Sequence, residues 1–139
     1  RAVRIPVHQE VKALLYIPEN HLSTSKARKL LPETVPHRDA VLNSSHAALL
    51  TIALSTRPDL LLTATEDFIH QSYRAVAYPK SMALMTELRS KKLAAVISGA
   101  GPSVLVLHTL TEEQIQELLP TGLAGFSARE LAISRSGVE

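Results

Sequence analysis

A short loop with two glycines separates two apolar runs in the last third of the chain. In VISGAGPSVLVLH, residues 96–108, the first run stops at Ser98 and the second begins after Pro102. Gly99 and Gly101 can adopt positive φ and leave room for a phosphate or another backbone segment. Pro102 has no N–H, and a strand rather than a helix follows, so the helix dipole of common phosphate loops is absent. The residues alone leave two interpretations open, a phosphate-contacting loop and a plain hairpin.

A second candidate group lies in EDFIHQSYR. Asp67, His70 and Arg74 are spaced i, i+3 and i+7, which predicts one face of a helix. An arginine presented in this way can bind a carboxylate or a phosphate through two parallel hydrogen bonds. The structural alternative is an exposed polar stripe in which Asp67 pairs with His70. A metal site is not indicated, because no second acid–histidine pair occurs at helical spacing.

Two weaker candidate groups precede it. In STSKARKLLP, Thr24 and Arg28 are spaced i, i+4, so a hydroxyl and a guanidinium would face the same way and could bind an anion. The structural alternative is a capping threonine and a solvated arginine. Asn43, between Arg38 and His46, belongs to a polar strip that offers at most a supporting role. No Ser–His–Asp triad and no pair of catalytic carboxylates stands out, so no catalytic base is assigned.

These residues lie on a predicted order of strand, several helices, strand, strand, helix and strand. The predicted elements are a strand at 11–18, a short helix ended by Pro32, helices over 37–58, 58–74 and 79–92, strands at 93–97 and 104–108, a helix at 111–119 and a strand within 126–134. This order predicts an α+β fold, a ferredoxin-like split βαβ with an antiparallel sheet packed by helices and an enlarged helical first crossover. One domain over residues 1–139 is expected.

The composition excludes several classes of function. The 139 residues carry a net charge of only +2 and 4% aromatic residues, which gives no indication of nucleic-acid binding. The absence of cysteine excludes disulfides and thiolate chemistry and fits a reducing compartment such as the cytoplasm. No apolar stretch reaches the roughly 18 residues of a membrane span, and the first residues, RAVRIPVHQE, lack the apolar stretch of a signal peptide. The chain lacks an initiator methionine, so we expect it to be a piece of a longer protein.

Four stretches together are more specific than any of them alone. STSKARKLLP, PHRDAVLNSSHAALL, EDFIHQSYR and ISGAGPSVLVL occur in an order and spacing that closely resembles the C-terminal half of the bacterial homoserine kinases. That family belongs to the GHMP kinase superfamily of small-molecule kinases. The resemblance covers residues 7–107. The glycine loop by itself indicates only the superfamily, whereas T-x-x-x-R-x-x-L-P and H-x-x-x-R indicate the homoserine kinases in particular.

The resemblance implies a fold, a reaction and a set of site residues. The family transfers the γ-phosphate of ATP, with Mg²⁺, to the side-chain hydroxyl of L-homoserine on the route to threonine, and its C-terminal domain has ferredoxin-like features. Arg28 and Arg74 match positions that bind the substrate carboxylate, and Thr24 matches a neighbouring contact. Asn43 and His70 are supporting candidates. The loop near the phosphate and acceptor sites would consist of Ser98, Gly99, Ala100 and Gly101, with Gly101 also counted as substrate-binding.

The resemblance also implies what this chain lacks. The family's main nucleotide loop and its N-terminal substrate motif do not occur here, and both would belong to an N-terminal domain of the same enzyme. We therefore expect that domain to bind most of the ATP and Mg²⁺, and the isolated chain to be inactive. A homodimer remains open. Two alternatives also remain, a non-catalytic ferredoxin-like module that binds an amino acid and another GHMP kinase, which should lack the Thr24 and Arg28 element.

Overall fold

Four antiparallel strands form the sheet in the computed structural model, which describes residues 3–19, 27, 29–120 and 123–134. The strands are β1 (Lys12–Pro18), β2 (Ala94–Ile97), β3 (Val104–His108) and β4 (Phe126–Leu131). Their order in the sheet is β2-β3-β1-β4. Leu14 of β1 lies opposite Val106 of β3 on one side and Glu130 of β4 on the other. Because β3 inserts between β1 and β2, the sheet has the predicted ferredoxin-like split βαβ order.

Most of the described helical residues belong to the first crossover, between β1 and β2. The helices are α1 (His37–Ser55), α2 (Leu61–Ala64), α3 (Gln71–Arg74), α4 (Pro79–Ser90) and α5 (Glu112–Leu118), with short 3-10 turns at Pro58–Leu60 and Ala75–Ala77. The enlarged helical crossover predicted from the sequence is therefore confirmed. The helix α5 lies in the second crossover, and a capping box starts it: the Thr111 hydroxyl accepts from the Gln114 N–H, and the Gln114 side chain accepts from the Thr111 N–H.

Helices cover both faces of the sheet. Successive residues of a strand point to opposite faces, so each strand contributes to two cores. The larger core lies beneath α4 and α5, and its buried members include Leu14, Tyr16, Val104, Val106, Leu84, Met85, Leu88 and Ile115. The smaller core lies beneath α1 and α2, and its buried members are Val11, Ala53, Leu61, Ala64 and Ala94. The two cores fix the crossover helices against the sheet from which the glycine loop emerges.

The longest helix buries only part of its apolar surface. Ala53 of α1 is fully buried against the sheet, whereas Val41 and Ile52 are each 49% exposed. These two residues are eleven positions apart, so they share one side of the helix, and the stripe through Ala53 is turned away from them. A helix can pack only one stripe of its surface against a sheet. The apolar periodicity thus predicts the helix, and the packing determines which stripe is buried.

The prediction of one continuous helix over 58–74 is wrong. The helix α2 ends at Ala64, a non-helical segment follows, and α3 begins at Gln71. The reason is the carboxylate of Asp67, whose Oδ2 accepts from the backbone N–H groups of His70 and Gln71. A side chain that binds the nearby backbone in this way competes with helical hydrogen bonds and favours a new helix start. Asp67, His70 and Arg74 therefore do not share one helix face.

A buried histidine lies at the end of β3, on the face that α5 covers. His108 is 9% exposed, and its Nδ1 has no hydrogen-bond partner among the described residues. Burial lowers the pKa of His108 below its ordinary value, the positive charge of Lys12 lowers it further, and Glu130 acts in the opposite direction. The folded protein therefore holds this imidazole neutral at pH values where a solvated histidine would bind a proton.

We predict that His108 makes the folded state less stable at mildly acidic pH. Below about pH 6.5 the unfolded chain binds a proton at this residue and the folded chain does not. The free energy of unfolding therefore decreases as the pH is lowered, until the lower pKa of the folded state is reached. The free energy of unfolding from urea denaturation should decline less between about pH 8 and about pH 5.5 for His108→Leu than for the unmodified chain. Equal declines for the two chains would contradict the prediction.

Candidate functional site

A cleft of about 450 Å³ lies between α3, the end of β2 and the glycine loop. It brings together two segments that are more than twenty residues apart in the sequence. Its lining consists of Asp67, His70, Gln71, Arg74, Val96, Ile97, Gly99 and Ala100. Four of the site residues predicted from the sequence, His70, Arg74, Gly99 and Ala100, therefore share one cleft.

Arg74 is the main charged group of the cleft. Its side chain lies at the end of α3 and is largely buried, since the residue is only 8% exposed. The Nε atom donates to the carbonyl oxygen of Ala27 at 3.2 Å, and Nη1 donates to that of Gly99 at 3.5 Å. Within the described part of the chain, the ion pairs involve other residues, so no carboxylate pairs directly with this guanidinium. A largely buried cation without an ion-pair partner favours an anionic ligand.

Asp67 and His70 form the rim of the cleft. Asp67 Oδ1 and His70 Nδ1 are 2.8 Å apart, while Asp67 Oδ2 accepts the two backbone N–H groups that start α3. The carboxylate of Asp67 is therefore engaged within the protein, in line with the structural alternative considered for this motif. The side chain of His70 remains 46% exposed and lines the cleft, so it is accessible to a ligand.

The glycine loop is a hairpin connection between β2 and β3, and it also presents free backbone donors. Ser98 N–H donates to the carbonyl of Ser103 at 2.8 Å, and Gly101 N–H donates to that of Ser98 at 3.0 Å. The N–H groups of Gly99 and Ala100 donate to no described backbone carbonyl. Both residues line the cleft beside Arg74. The two interpretations of the loop are thus compatible, and contact with a phosphate stays a prediction.

The two glycines of the loop are required for different reasons. Both adopt positive φ, +59° at Gly99 and +84° at Gly101. A Cβ atom on Gly101 would lie 2.7 Å from Cε1 of Tyr78 and 3.0 Å from Cγ2 of Ile97, whereas one on Gly99 would meet no atom within 4 Å. Burial raises the pKa of the Tyr78 hydroxyl, and the nearby Arg74 opposes part of that rise. Gly101 is therefore packed onto the core, and Gly99 faces open space.

Asn43 acts at a distance from the cleft. Its Oδ1 accepts from the backbone N–H of Phe68 at 3.1 Å and so ties α1 to the segment between α2 and α3. His46, one turn along α1, approaches the carbonyl oxygen of Thr63 to 2.8 Å through Nδ1, and its ring packs edge-on against Phe68. The supporting position predicted for Asn43 is thus a contact with backbone that leads into the cleft, and Asn43 itself does not line it.

Two residues that sequence reasoning missed hold β2 in place. Gln71 Oε1 accepts from the Ile97 N–H at 2.6 Å. Arg89 donates through Nη1 to the carbonyl of Ala95 and to the Thr65 hydroxyl, both at 3.0 Å. Gln71 lies in EDFIHQSYR, in which its neighbours His70 and Arg74 were the candidate residues. Arg89 occurs in an ordinary amphipathic helix. No pattern in the sequence marks either residue, because their partners on β2 are backbone groups, which carry no residue-type signal.

The remaining predicted residues, Thr24 and Arg28, lie outside the described residues, as does most of STSKARKLLP. Ala27 of that stretch is described and buried, and its carbonyl accepts from Arg74 Nε. The roles given to Thr24 and Arg28 stay predictions. Among the described residues, no three acidic, histidine or cysteine side chains are close enough to hold a metal ion. In that same part of the chain no helix combines the length and the apolar character needed to span a membrane.

Comparison with known proteins places the chain in a family. The family of GHMP kinase C-terminal regions matches residues 40–121, more than half of the chain. The chain belongs to the GHMP kinases. It is 44% identical over 137 residues to the homoserine kinase of Streptomyces avermitilis, a match that covers 99% of this chain and 44% of the relative. It is 53% identical over 107 residues to the homoserine kinase of Leifsonia xyli subsp. xyli, covering 77% and 33%.

The resemblance to the homoserine kinases inferred from the sequence motifs is thus confirmed. The chain spans less than half the length of these curated relatives. The crystal structure of homoserine kinase from Cytophaga hutchinsonii superposes with a TM-score of 0.81 at 21% identity, covering 97% of this chain and 45% of that one. This likeness confirms the fold of the GHMP kinase C-terminal region.

We predict that alanine is tolerated less well at Gly101 than at Gly99. Left-handed φ costs an alanine about 1–2 kcal/mol at either position. At Gly101 the new Cβ also overlaps the Tyr78 ring, and overpacking of this kind costs a further ~1–3 kcal/mol. The free energy of unfolding from urea denaturation should therefore fall more for Gly101→Ala than for Gly99→Ala. An equal or larger loss for Gly99→Ala would show that the Tyr78 contact is unimportant.

Proposed function

We propose that this chain is the C-terminal, substrate-binding half of a cytoplasmic homoserine kinase, which transfers the γ-phosphate of ATP to the hydroxyl of L-homoserine in threonine biosynthesis. The observation that carries the proposal is the largely buried guanidinium of Arg74, which has no ion-pair partner among the described residues and lies beside Gly99 and Ala100, whose N–H groups have no described backbone partner. The homoserine kinases to which the chain is 44–53% identical supply the substrate class.

The proposed role of this half is to bind and orient the acceptor. Arg74 would bind the substrate carboxylate, together with Arg28 and Thr24 if these have the roles predicted from the family motif. The rigid start of α3 holds Arg74 in place, so the acceptor hydroxyl would point toward the loop at Ser98–Gly101. Catalysis of phosphoryl transfer depends largely on such positioning and on stabilisation of negative charge. No described residue is assigned as the catalytic base.

The groups along the cleft also fit the edge of a phosphate site. The N–H groups of Gly99 and Ala100 are donors without a described backbone partner, and an anionic oxygen is their natural acceptor. ATP would supply the phosphoryl group. We propose that the main nucleotide loop and the Mg²⁺ ligands come from the N-terminal domain of the complete enzyme, as the resemblance to the homoserine kinases implies.

We predict that Arg74→Ala in a full-length kinase weakens the use of L-homoserine and spares ATP. A hydrogen bond to a charged group contributes about 1.5–3 kcal/mol, so kcat/KM for homoserine should fall about ten- to a hundredfold. Arg74→Lys keeps the charge but loses the planar fork of the guanidinium. Its kcat/KM for homoserine should therefore lie between those of the unmodified kinase and Arg74→Ala. Arg57→Ala is the control, since Arg57 is exposed, pairs with Asp59 and lies outside the cleft. Unchanged homoserine kinetics in Arg74→Ala would remove Arg74 from the site.

We also predict that the 139-residue chain alone does not turn over ATP, whereas a full-length kinase that contains it does. The test follows ADP release with L-homoserine, and with L-serine and mevalonate as comparison acceptors. Turnover that depends on homoserine and occurs in the full-length enzyme but not in the isolated chain supports the proposed role of this half. Substantial turnover by the isolated chain contradicts it. If the full-length protein turns over no acceptor, a non-catalytic module that binds an amino acid becomes the better interpretation.

A further inference from the structure

The strand that leads into the glycine loop has one unpaired edge. In the sheet order β2-β3-β1-β4, the strand β2 pairs only with β3, so every second N–H and C=O of β2 points away from the sheet. Two side chains satisfy this edge. Gln71 accepts from the N–H of Ile97 at 2.6 Å, and Arg89 donates to the carbonyl of Ala95 at 3.0 Å. The edge is thus closed by side chains where another strand would otherwise pair.

The Gln71 contact differs from the Arg89 contact in its position. Ile97 is the last residue of β2, and Ser98, the first residue of the glycine loop, follows it directly. Gln71 is the first residue of α3, and Arg74, three positions later, approaches the carbonyl of Gly99 at 3.5 Å. Residues spaced i, i+3 lie on the same side of a helix. One side of α3 therefore holds the loop at two points, and the bond from Gln71 is the shorter one.

Hydrogen bonds hold both the backbone and the side chain of Gln71. Its backbone N–H donates to Asp67, which determines where α3 begins. Its side-chain amide must present Oε1 to Ile97, because only the oxygen can accept from an N–H. The Nε2 group then remains as a donor, and Gln71 lines the cleft. Asp67, Gln71 and Ile97 thus form a continuous link from the helix that carries Arg74 to the start of the loop.

We infer that Gln71 is a positioning residue that sets the separation between the Arg74 guanidinium and the glycine loop. This inference rests on the proposed function, since the separation matters for an acceptor held between the two. Without the bond to Ile97, the longer Arg74 contact is the one hydrogen bond that remains between α3 and the loop among the described residues. The expected consequence is weaker binding of the acceptor in a protein that remains folded, since small errors of placement are costly in phosphoryl transfer.

The test compares Gln71→Met with Arg89→Met in a full-length kinase. Methionine is close in size to glutamine but cannot accept from the Ile97 N–H. Gln71→Met removes the bond to Ile97, and Arg89→Met removes the bond to Ala95 on the same edge of β2 together with the bonds to Thr65 and Leu62, so both should lower the melting temperature. Arg89 does not line the cleft. We expect the KM for L-homoserine to rise about tenfold in Gln71→Met and to stay unchanged in Arg89→Met, with the KM for ATP unchanged in both. A loss of stability with an unchanged homoserine KM in Gln71→Met would overturn the inference.

A second measurement tests the link without any reference to catalysis. Amide hydrogen exchange of Ile97 should be slow in the unmodified kinase, fast in Gln71→Met and slow again in Gln71→Glu, whose carboxylate can still accept the bond. The NMR shifts of Gly99 and Gly101 should move in Gln71→Met and stay in place in Arg89→Met. If homoserine is not a substrate, these results still support the link. Unchanged loop shifts in Gln71→Met overturn it whatever the substrate is.

Discussion

The carboxylate of Asp67 is the constraint on which the cleft depends. By accepting two backbone N–H groups, it interrupts what would otherwise be one helix and starts a second, shorter one. That interruption turns α3 so that Arg74 points toward the glycine loop instead of continuing along an exposed helix face. Asn43 supports the same segment by accepting from the Phe68 N–H. Because each of these bonds is made to backbone, the path of the chain, and not only a side-chain rotamer, determines where the charge lies.

The electrostatics of the cleft follow from what the fold leaves unpaired. Asp67 is already engaged with the backbone and with His70, so it is not free to neutralise Arg74. The guanidinium is instead held by two carbonyl oxygens, which orient it without cancelling its charge. A buried cation oriented in this way is prepared for an anionic ligand before the ligand arrives, and little reorganisation is needed on binding. This arrangement fits the carboxylate-bearing acceptor that we propose.

The larger core extends directly to the glycine loop. Gly101 lies against the ring of Tyr78, which belongs to the same core as α4 and the strands β1 and β3. Gly99, two residues earlier, has no neighbour within 4 Å of the place where a Cβ would be. One glycine therefore anchors the loop by close packing, and the other leaves its backbone open at the cleft. A loop fixed on one side and open on the other can present N–H groups in constant positions.

The sequence by itself determined most of the order of strands and helices and the membership of the family, because these follow from local patterns and from contiguous motifs. It also indicated Arg74, Gly99 and Ala100, which the structure brings into one cleft. Only the tertiary structure decided that α2 and α3 are separate, that Ala53 and not Val41 is buried, and that Gln71 and Arg89 hold β2. The physical reason is that each outcome depends on which backbone groups or packing surfaces the folded chain places beside a side chain, and the pattern of residue types does not specify those partners.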